Sequence, residues 1–335
     1  MYVDVPDSSS DLFSLLLDKV ESCNLYRSAM SRIYLPIGLQ KLCISNPVKP
    51  IEIVITPNES YSLKTFGITS FNKLPTQISH LHSLEHFSCR STPVLELDFE
   101  LFASMENLTT ITMLETSTKN IIFSKQRRFP LLRSFIFWGN HLTTLNATSW
   151  NFPSLEELDL SFNEFTVLPK QIATFVNLTR LSMDNNLIKS IDLHIFAGLR
   201  RLVVLDLEVN QFSSVTGKLQ LPRLSELRLD ENCLEELDVS HWFLPALFRI
   251  GLGRNFLKSV IGFTECFGGA SFIHLYQGQW DCDWLQEVGR SIKGMIISYI
   301  HQDSSYRYCF GNRLGMTERS FVEVYVNGTP QQYDL

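Results

Sequence analysis

A pattern of apolar residues that recurs every 21 to 24 residues constrains the fold of this chain more than any other feature. One instance, SLEELDLSFNEFTVLP, begins at Ser154. Counted from Leu155, it has apolar side chains at positions 1, 4, 6, 11 and 14 and an asparagine at position 9. Rows of this kind begin at residues 39, 63, 84, 108, 132, 155, 178, 202, 224, 247 and 270. An internal repeat of this length indicates a solenoid.

Each row combines a short strand with a sharp bend. Alternate side chains of a strand point the same way, so positions 4 and 6 should face the core, while positions 5, 7 and 8 should face outward. No row can bury its apolar side alone, and neighbouring rows must therefore stack in parallel. The asparagine at position 9 can donate and accept hydrogen bonds, so we expect it to satisfy backbone groups of neighbouring turns.

The row matches the pattern L-x-x-L-x-L-x-x-N-x-L and resembles the leucine-rich repeat family, most clearly between Leu132 and Val260. The resemblance implies an α/β solenoid, a right-handed horseshoe with a parallel sheet on its concave side and about ten or eleven repeats. It also implies three segments: an N-terminal helical cap over 1–38, the repeats over 39–280, and a C-terminal cap and tail over 281–335. Caps are expected because a terminal row has no neighbour to cover its apolar side.

The N-terminal end carries an apolar stretch within residues 8–30 that is preceded by serines. Serine before an apolar-periodic run is a helix-start signal, so this stretch predicts a capping helix. Cys23 and Cys43 are candidates for a disulfide that would hold this end.

At the C-terminal end, Trp280 is followed by Cys282. This resembles the C-terminal cap of extracellular leucine-rich repeat proteins, and the resemblance implies a disulfide between Cys282 and Cys309. Two buried thiols are the alternative. Residues 282–300 predict a short helix.

The location of the protein is predicted from weaker signals. The N-terminus lacks the basic start and long apolar stretch of a secretory signal, and no run is long enough to span a membrane. Sequons for N-glycosylation occur at Asn58, Asn107, Asn146, Asn177 and Asn327. Together with the cap, they favour a secreted protein whose signal peptide is absent from this sequence. The alternative is a cytoplasmic protein with accidental sequons.

Composition and motifs argue against several functions. The net charge of −6 gives no basic footprint for nucleic acid. Motifs for nucleotide loops, zinc proteases and serine hydrolases are absent, and Gly251 and Gly253 follow a strand without opening a helix. His80, His82 and His86 could approach a metal, but ordinary polar surface is the simpler interpretation. An open repeat sheet lacks the closed pocket of an enzyme, so we expect no catalytic, cofactor or metal site.

The outward positions of the rows show an acidic band bordered by aromatic and basic residues. Aromatic and arginine side chains beside a charged field are typical of protein-binding surfaces. The concave-face residues predicted to bind a partner protein are Trp138, Asp159, Phe162, Asp184, Asp206, Glu208, Arg228, Asp230, Arg249 and Arg254. An ordinary solvated sheet face is the alternative.

These features predict a non-enzymatic module for protein–protein recognition, with its oligomeric state left open. The cap, the irregular early rows and the phenylalanine-rich connections resemble insect secreted leucine-rich immune proteins of the short type without a coiled coil. That resemblance implies a role in innate immune recognition or in stabilising another plasma protein. A fragment of a Toll-like receptor ectodomain and a cytoplasmic scaffold that regulates an enzyme are the alternatives.

Overall fold

Each predicted row contributes one short strand to a parallel sheet in the computed structural model of this chain. The structure describes residues 20–57, 59–123, 125–146, 150–291, 296–298, 322–326 and 329–333. The chain divides into two compact units, Met1–Glu164 and Phe165–Leu335.

Within its described residues, the first unit is built from strands and two 3-10 helices. The strands are β1 (Ser22–Tyr26), β2 (Arg32–Tyr34), β3 (Lys41–Ser45), β4 (Glu52–Val54), β5 (Thr65–Thr69), β6 (His86–Arg90), β7 (Glu96–Asp98), β8 (Thr110–Leu114), β9 (Asn120–Ile122), β10 (Arg127–Arg128), β11 (Ser134–Ile136), β12 (Trp150–Asn151) and β13 (Glu157–Asp159). The 3-10 helices are Thr76–His80 and Phe99–Phe102. The main sheet has the order β1-β3-β5-β6-β8-β11-β13, and the pairs β2–β4, β7–β9 and β10–β12 lie in the connections.

The second unit repeats this plan. Its strands are β14 (Arg180–Ser182), β15 (Ser190–Asp192), β16 (Val204–Asp206), β17 (Ser214–Thr216), β18 (Glu226–Arg228), β19 (Arg249–Gly251), β20 (Phe272–His274), β21 (Ile296–Ser298), β22 (Val322–Val326) and β23 (Thr329–Tyr333). The helices in the described part of this unit are the 3-10 helices Lys170–Thr174 and Leu193–Phe196 and the α-helices α1 (Phe263–Phe267) and α2 (Cys282–Ser291). The main sheet has the order β14-β16-β18-β19-β20-β21.

Stacking of the leucines explains why neighbouring rows hold together. Leu181, Leu205, Leu227 and Ile250 are direct partners on successive parallel strands, and each is at most 1% exposed. Burying one such side chain contributes about 1.5–3 kcal/mol, but only because the next row covers it. The predicted α/β repeat fold of about eleven rows is confirmed, since every predicted row carries a strand of a main sheet.

The position-9 asparagines form a buried ladder, as the sequence predicted. Asn163 Nδ2 donates to the carbonyls of Phe137, Leu160 and Ser161 at 2.7, 3.0 and 3.1 Å, and its Oδ1 accepts from the amide of Leu142 at 3.0 Å. Equivalent bonds are made by Asn210, Asn232 and Asn255. These bonds satisfy backbone groups that the sharp bend removes from the strand ladder.

The bend itself depends on a left-handed residue at position 8 of each row. The residues with positive φ at this position in the well-matched rows are Gly139, Phe162, Asn185, Val209, Glu231 and Arg254. A positive φ is unfavourable for side chains other than glycine and most of all for a β-branched one such as Val209, so the stacked rows impose it. The amides still bond along the stack, as from Val209 to the carbonyl of Asp230 at 3.0 Å.

The prediction of a helix across residues 8–30 is wrong for the part that the structure describes. Ser22–Tyr26 is strand β1, which pairs in parallel with β3. Cys23 and Leu25 are buried while their neighbours are exposed, a period of two that suits a strand and not a helix. The first row therefore begins within the segment that was predicted to be a cap, and residues 1–19 lie outside the described part.

Of the helix predicted over residues 282–300, Cys282–Ser291 is present as α2, whereas Ile296–Ser298 is strand β21. Trp280 is buried, its indole Nε1 donates to the carbonyl of Leu275 at 2.8 Å, and its ring stacks on Trp284 at 5.0 Å between centroids. Strand β21 then continues the main sheet of this unit beside β20. The sheet of this unit thus continues into the segment that was predicted to be a C-terminal cap.

Candidate functional site

The second unit carries a cluster of carboxyl groups on the open face of its main sheet. We define this open face as the face that bears positions 5, 7 and 8 of each row, and the acidic cluster as Asp184, Asp206, Glu208, Asp230 and Glu231. The sequence predicted an exposed band. That expectation is wrong for Asp206 and Asp230, which are each only 5% exposed, while Asp184, Glu208 and Glu231 are half-buried.

Asp206 is held beneath Arg228. Its Oδ2 lies 3.0 Å from Arg228 Nη1, and its Oδ1 accepts from the amide of Glu208 at 3.2 Å. Burial raises the pKa of Asp206 to about 7, with a further rise from the charges of Glu208 and Asp184; the amide bond and Arg228 act in the opposite direction. Arg228 is shared, because its Nη2 also lies 2.6 Å from Glu226 Oε1. The ion pair therefore covers Asp206 from solvent.

Asp230 is buried for a different reason. Its Oδ1 accepts from the amide of Gly253 at 2.9 Å, and its side chain lies over Gly251. A Cβ at residue 251 would stand 1.6 Å from Asp230 Oδ2, so only glycine leaves room for this carboxyl. Burial raises the pKa of Asp230 to about 7, and the charge of Glu208 adds to the rise. The hydrogen bond from the Gly253 amide acts in the opposite direction.

The glycine pair is the sequence signal that could have revealed this burial. Two outward positions of one row are Gly251 and Gly253, and a row without side chains leaves space that its neighbours fill. Asp230 fills it from one side and Tyr276 from the other, since a Cβ at Gly253 would meet the Tyr276 ring at 2.5 Å. Tyr276 had not been predicted as part of the site.

Two arginines border the acidic cluster. Arg254 lies over the Tyr276 ring at 5.6 Å from its centroid, and its Nη1 is 2.9 Å from Glu231 Oε1. Arg249 lies over the Phe272 ring at 5.4 Å. These cation–π contacts help to hold the flat guanidinium groups in place. The predicted residues Asp184, Asp206, Glu208, Arg228, Asp230, Arg249 and Arg254 thus lie on four neighbouring rows of the second unit.

His274 stands beside these arginines on strand β20. Burial lowers its pKa, and the nearby charges of Arg249 and Arg228 add to the lowering. Burial also raises the pKa of Glu208, while Arg228 opposes the rise. The open face of this unit thus combines half-buried acids with a neutral imidazole and fixed cations.

The first unit carries the predicted aromatic residues. The rings of Trp138 and Phe162 contact each other at 4.8 Å between centroids, and Phe162 is 43% exposed. Trp138 is half-buried, less exposed than the sequence predicted, because Phe162 covers it from the next row. Asp159 is half-buried, and its Oδ1 accepts from the amide of Ser161 at 2.9 Å. This unit therefore presents a small aromatic patch, defined as Trp138 and Phe162.

The predicted histidine group makes ordinary local bonds. His82 Nδ1 is 3.4 Å from the carbonyl of Ser104, and His86 Nδ1 is 3.3 Å from Thr109 Oγ1. Among the residues that the structure describes, no group of three or more His, Cys, Asp or Glu side chains is arranged to hold a metal ion. No helix within the described part is long and apolar enough to cross a bilayer.

The predicted Cys23–Cys43 disulfide is not formed, since both cysteines are free thiols. In the register of β1 and β3, Cys23 pairs with Leu42 and Asn24 pairs with Cys43. Cys23 therefore faces the core and Cys43 the open face, where a bridge would require one strand to slip by a residue. The proposed partner of Cys282, Cys309, lies outside the described residues.

The sequons differ in their surroundings. Asn107 and Asn146 are exposed, and Asn177 is half-buried with its Oδ1 accepting from Arg201 Nη1 at 2.9 Å. Asn58 and Asn327 lie outside the described residues.

Comparisons with known proteins point to one kind of repeat. The family model described as Leucine Rich Repeat matches residues 154–175. Osteomodulin of Bos taurus is 29% identical over 173 residues, which cover 49% of this chain and 39% of osteomodulin. Toll-like receptor 2 of Equus caballus is 30% identical over 143 residues, which cover 40% of this chain and 17% of the receptor. The chain thus spans less than half the length of either relative.

A solved structure supports the same fold. The crystal structure of the LRIM1/APL1C complex contains a chain that superposes with a TM-score of 0.60 at 16% identity, covering 87% of this chain and 58% of that one. At this identity the similarity concerns the fold alone.

Proposed function

This chain is a leucine-rich repeat protein, and from that premise we propose that it is a non-enzymatic module that binds another protein through the open face of its sheet. The observation that carries the proposal is the group of half-buried acids beside Arg254 on the second unit. Charged groups that are partly desolvated and fixed by neighbours give an interface its register and partner selectivity.

Burial of Asp206 and Asp230 narrows the surface that a partner can reach. The acids with accessible edges are Asp184, Glu208 and Glu231, and the partly exposed cations are Arg249 and Arg254, of which Arg254 pairs with Glu231. Arg228 turns inward to pair with Asp206 and Glu226. We therefore expect a partner whose contacting segment carries more basic than acidic side chains, because like charges placed opposite one another cost several kcal/mol.

The aromatic patch of the first unit is a second candidate contact. Phe162 exposes 43% of its surface in a left-handed conformation imposed by the fold. Aromatic side chains with little conformational freedom are frequent hot spots in protein interfaces. Trp138 supports the Phe162 ring from the preceding row.

Affinity capture from extracellular fluid of the source organism tests the proposal. The test variant is Glu208→Arg/Glu231→Arg, and the matched control is Glu235→Arg/Glu236→Arg, which makes the same charge change at two exposed residues of a connection. We expect the partner recovered by the wild type and the control to be lost from the test variant. Equal recovery by all three proteins would refute binding at the open face. Circular dichroism verifies that each variant is folded.

We propose further that the protein is extracellular, glycosylated at its sequons and closed by a Cys282–Cys309 disulfide. The exposed side chains of Asn107 and Asn146 support glycan attachment at these two sites. Expression behind a heterologous signal peptide in eukaryotic cells, followed by peptide mass spectrometry, tests both modifications. Unmodified asparagines together with reduced cysteines would favour the cytoplasmic scaffold instead.

The narrower proposal of an insect innate-immune role rests on the sequence resemblance, and the fold shared with the LRIM1/APL1C structure is compatible with it. A piece of a receptor ectodomain is the second candidate, favoured by the 30% identity to Toll-like receptor 2. Transcript sequence on both sides of this chain separates the two. A membrane span followed by a signalling domain would indicate the receptor.

A further inference from the structure

The connecting segments of the second unit line an open surface cavity, formed by exposed residues, that the open face of the sheet does not share. Its volume is ≈ 380 Å³, and its lining includes His194, Arg200, Lys218, Gln220, Pro222 and Phe243. These residues belong to the connections that follow β14, β16 and β18, and His194 lies within the 3-10 helix Leu193–Phe196. A volume of this size lies at the lower end of the range for ligand sites.

The backbone holds this cavity in shape. Gln220 and Phe243 are partners in a parallel bridge, with the Phe243 amide donating to the carbonyl of Leu219 at 2.8 Å. His194 is fixed on the opposite side by Asp192, whose Oδ1 lies 2.8 Å from His194 Nδ1. The bridge thus fixes the backbone of one wall before a ligand binds.

Glycine at residue 217 is needed for the position of His194. Gly217 has φ +92°, and a Cβ there would lie 2.8 Å from His194 Nδ1. With Nδ1 turned toward Asp192, Nε2 is the ring nitrogen available to a ligand.

The charge of the cavity is opposite to that of the whole chain. Three of its lining residues are basic and none is acidic, whereas the chain carries a net charge of −6. Within the described residues, Arg200 and Lys218 make no ion pair. Two unpaired cations at one cavity create a local field that favours an anion.

An apolar surface adjoins these cations. Phe243 is 58% exposed, and Pro222 extends the apolar wall beside it. An exposed ring next to arginine is a composition that protein interfaces use for anchoring side chains. The cavity thus offers positive charge to a carboxylate and an aromatic ring to an apolar side chain next to that carboxylate.

We propose that this cavity binds an acidic segment of a partner protein, in which carboxylates contact Arg200 and Lys218 and an adjacent apolar side chain packs on Phe243. Arg200 presents a planar guanidinium that can hold a carboxylate through two parallel hydrogen bonds. The site is separate from the open face, so the protein has two binding surfaces of opposite charge preference.

Fluorescence anisotropy with a designed peptide tests this site. The probe is a fluorescein-labelled peptide with glutamates on both sides of one phenylalanine, and the comparison peptides replace the glutamates by glutamine or the phenylalanine by serine. The wild-type chain should bind the probe in a saturable manner and should bind both comparison peptides more weakly. Absence of saturable binding by the wild type would overturn the proposal.

Two charge-reversal variants locate the binding. Arg200→Glu/Lys218→Glu should weaken binding at least about tenfold, since two cation–carboxylate contacts become repulsive. Lys170→Glu/Lys189→Glu makes the same change at exposed lysines outside the cavity and should change the Kd by less than about twofold. Equal losses in the two variants would show that the probe responds only to net charge, and the cavity site would be rejected.

Discussion

Replacing Asp230 by asparagine should stabilise this protein at neutral and basic pH. Asparagine has nearly the size of aspartate and keeps a carbonyl oxygen for the amide of Gly253, which Asp230 Oδ1 accepts at 2.9 Å. It cannot carry the charge that burial disfavours. The substitution therefore removes the electrostatic cost and leaves the packing over Gly251 in place.

The magnitude follows from the pKa. Burial raises the pKa of Asp230 to about 7 in the folded chain, whereas an unfolded aspartate titrates near about 3.9. The folded state then binds this proton more tightly, so the contribution of Asp230 to the free energy of unfolding is largest below about pH 4 and is lost as pH rises to about 7. Three pKa units at about 1.36 kcal/mol each give an upper limit of about 4 kcal/mol for the stabilisation by Asp230→Asn at pH 8.

Urea unfolding followed by circular dichroism at pH 4.5 and pH 8 measures the effect. We expect a gain of about 2–4 kcal/mol at pH 8 and of less than about 1 kcal/mol at pH 4.5. Asp238→Asn is the control, and we expect it to lower the stability at pH 8, because hydrogen bonds from the hydroxyl and amide of Ser240 lower the pKa of Asp238. An Asp230→Asn gain that is the same at both pH values, or a loss at pH 8, would refute the reasoning.

Three further substitutions test the packing of the rows by urea unfolding. Gly251→Ala should destabilise the fold by at least about 2 kcal/mol, because the new Cβ would displace Asp230; an effect below 0.5 kcal/mol would contradict this close approach. Asn163→Ala should cost about 3 kcal/mol, since three carbonyls and the amide of Leu142 lose their partner, and a neutral result would exclude the ladder as a stabilising feature. Leu205→Ala should cost about 2–5 kcal/mol through the cavity it leaves, and a loss no larger than that of an exposed leucine would argue against the stacked core.

Within the candidate site, the residue types could be predicted from the sequence but their exposure could not. Asp206 and Glu208 stand at outward positions of the same row, and the pattern assigned both to an exposed band. Burial of Asp206 depends on Arg228, and burial of Asp230 depends on Gly251, each in the following row. The exposure of a side chain at these positions depends on the side chains of the neighbouring row. The spacing of residues within a single row does not predict those contacts.

The repeat by itself determined the stacked rows, the inward leucines and the asparagine ladder. Its information is local, since spacing within one row decides which side of a strand is apolar and where the chain bends. Only the tertiary structure decided that Ser22–Tyr26 is a strand, because its two inward side chains were too few to distinguish a strand from a helix without the partner β3. Pairing across strands likewise put Cys23 and Cys43 on opposite faces, and folding of one row onto the next buried two of the predicted surface acids. Contacts between residues more than 20 positions apart depend on the strand register and on the volume of neighbouring side chains. Both are defined only once the rows are stacked.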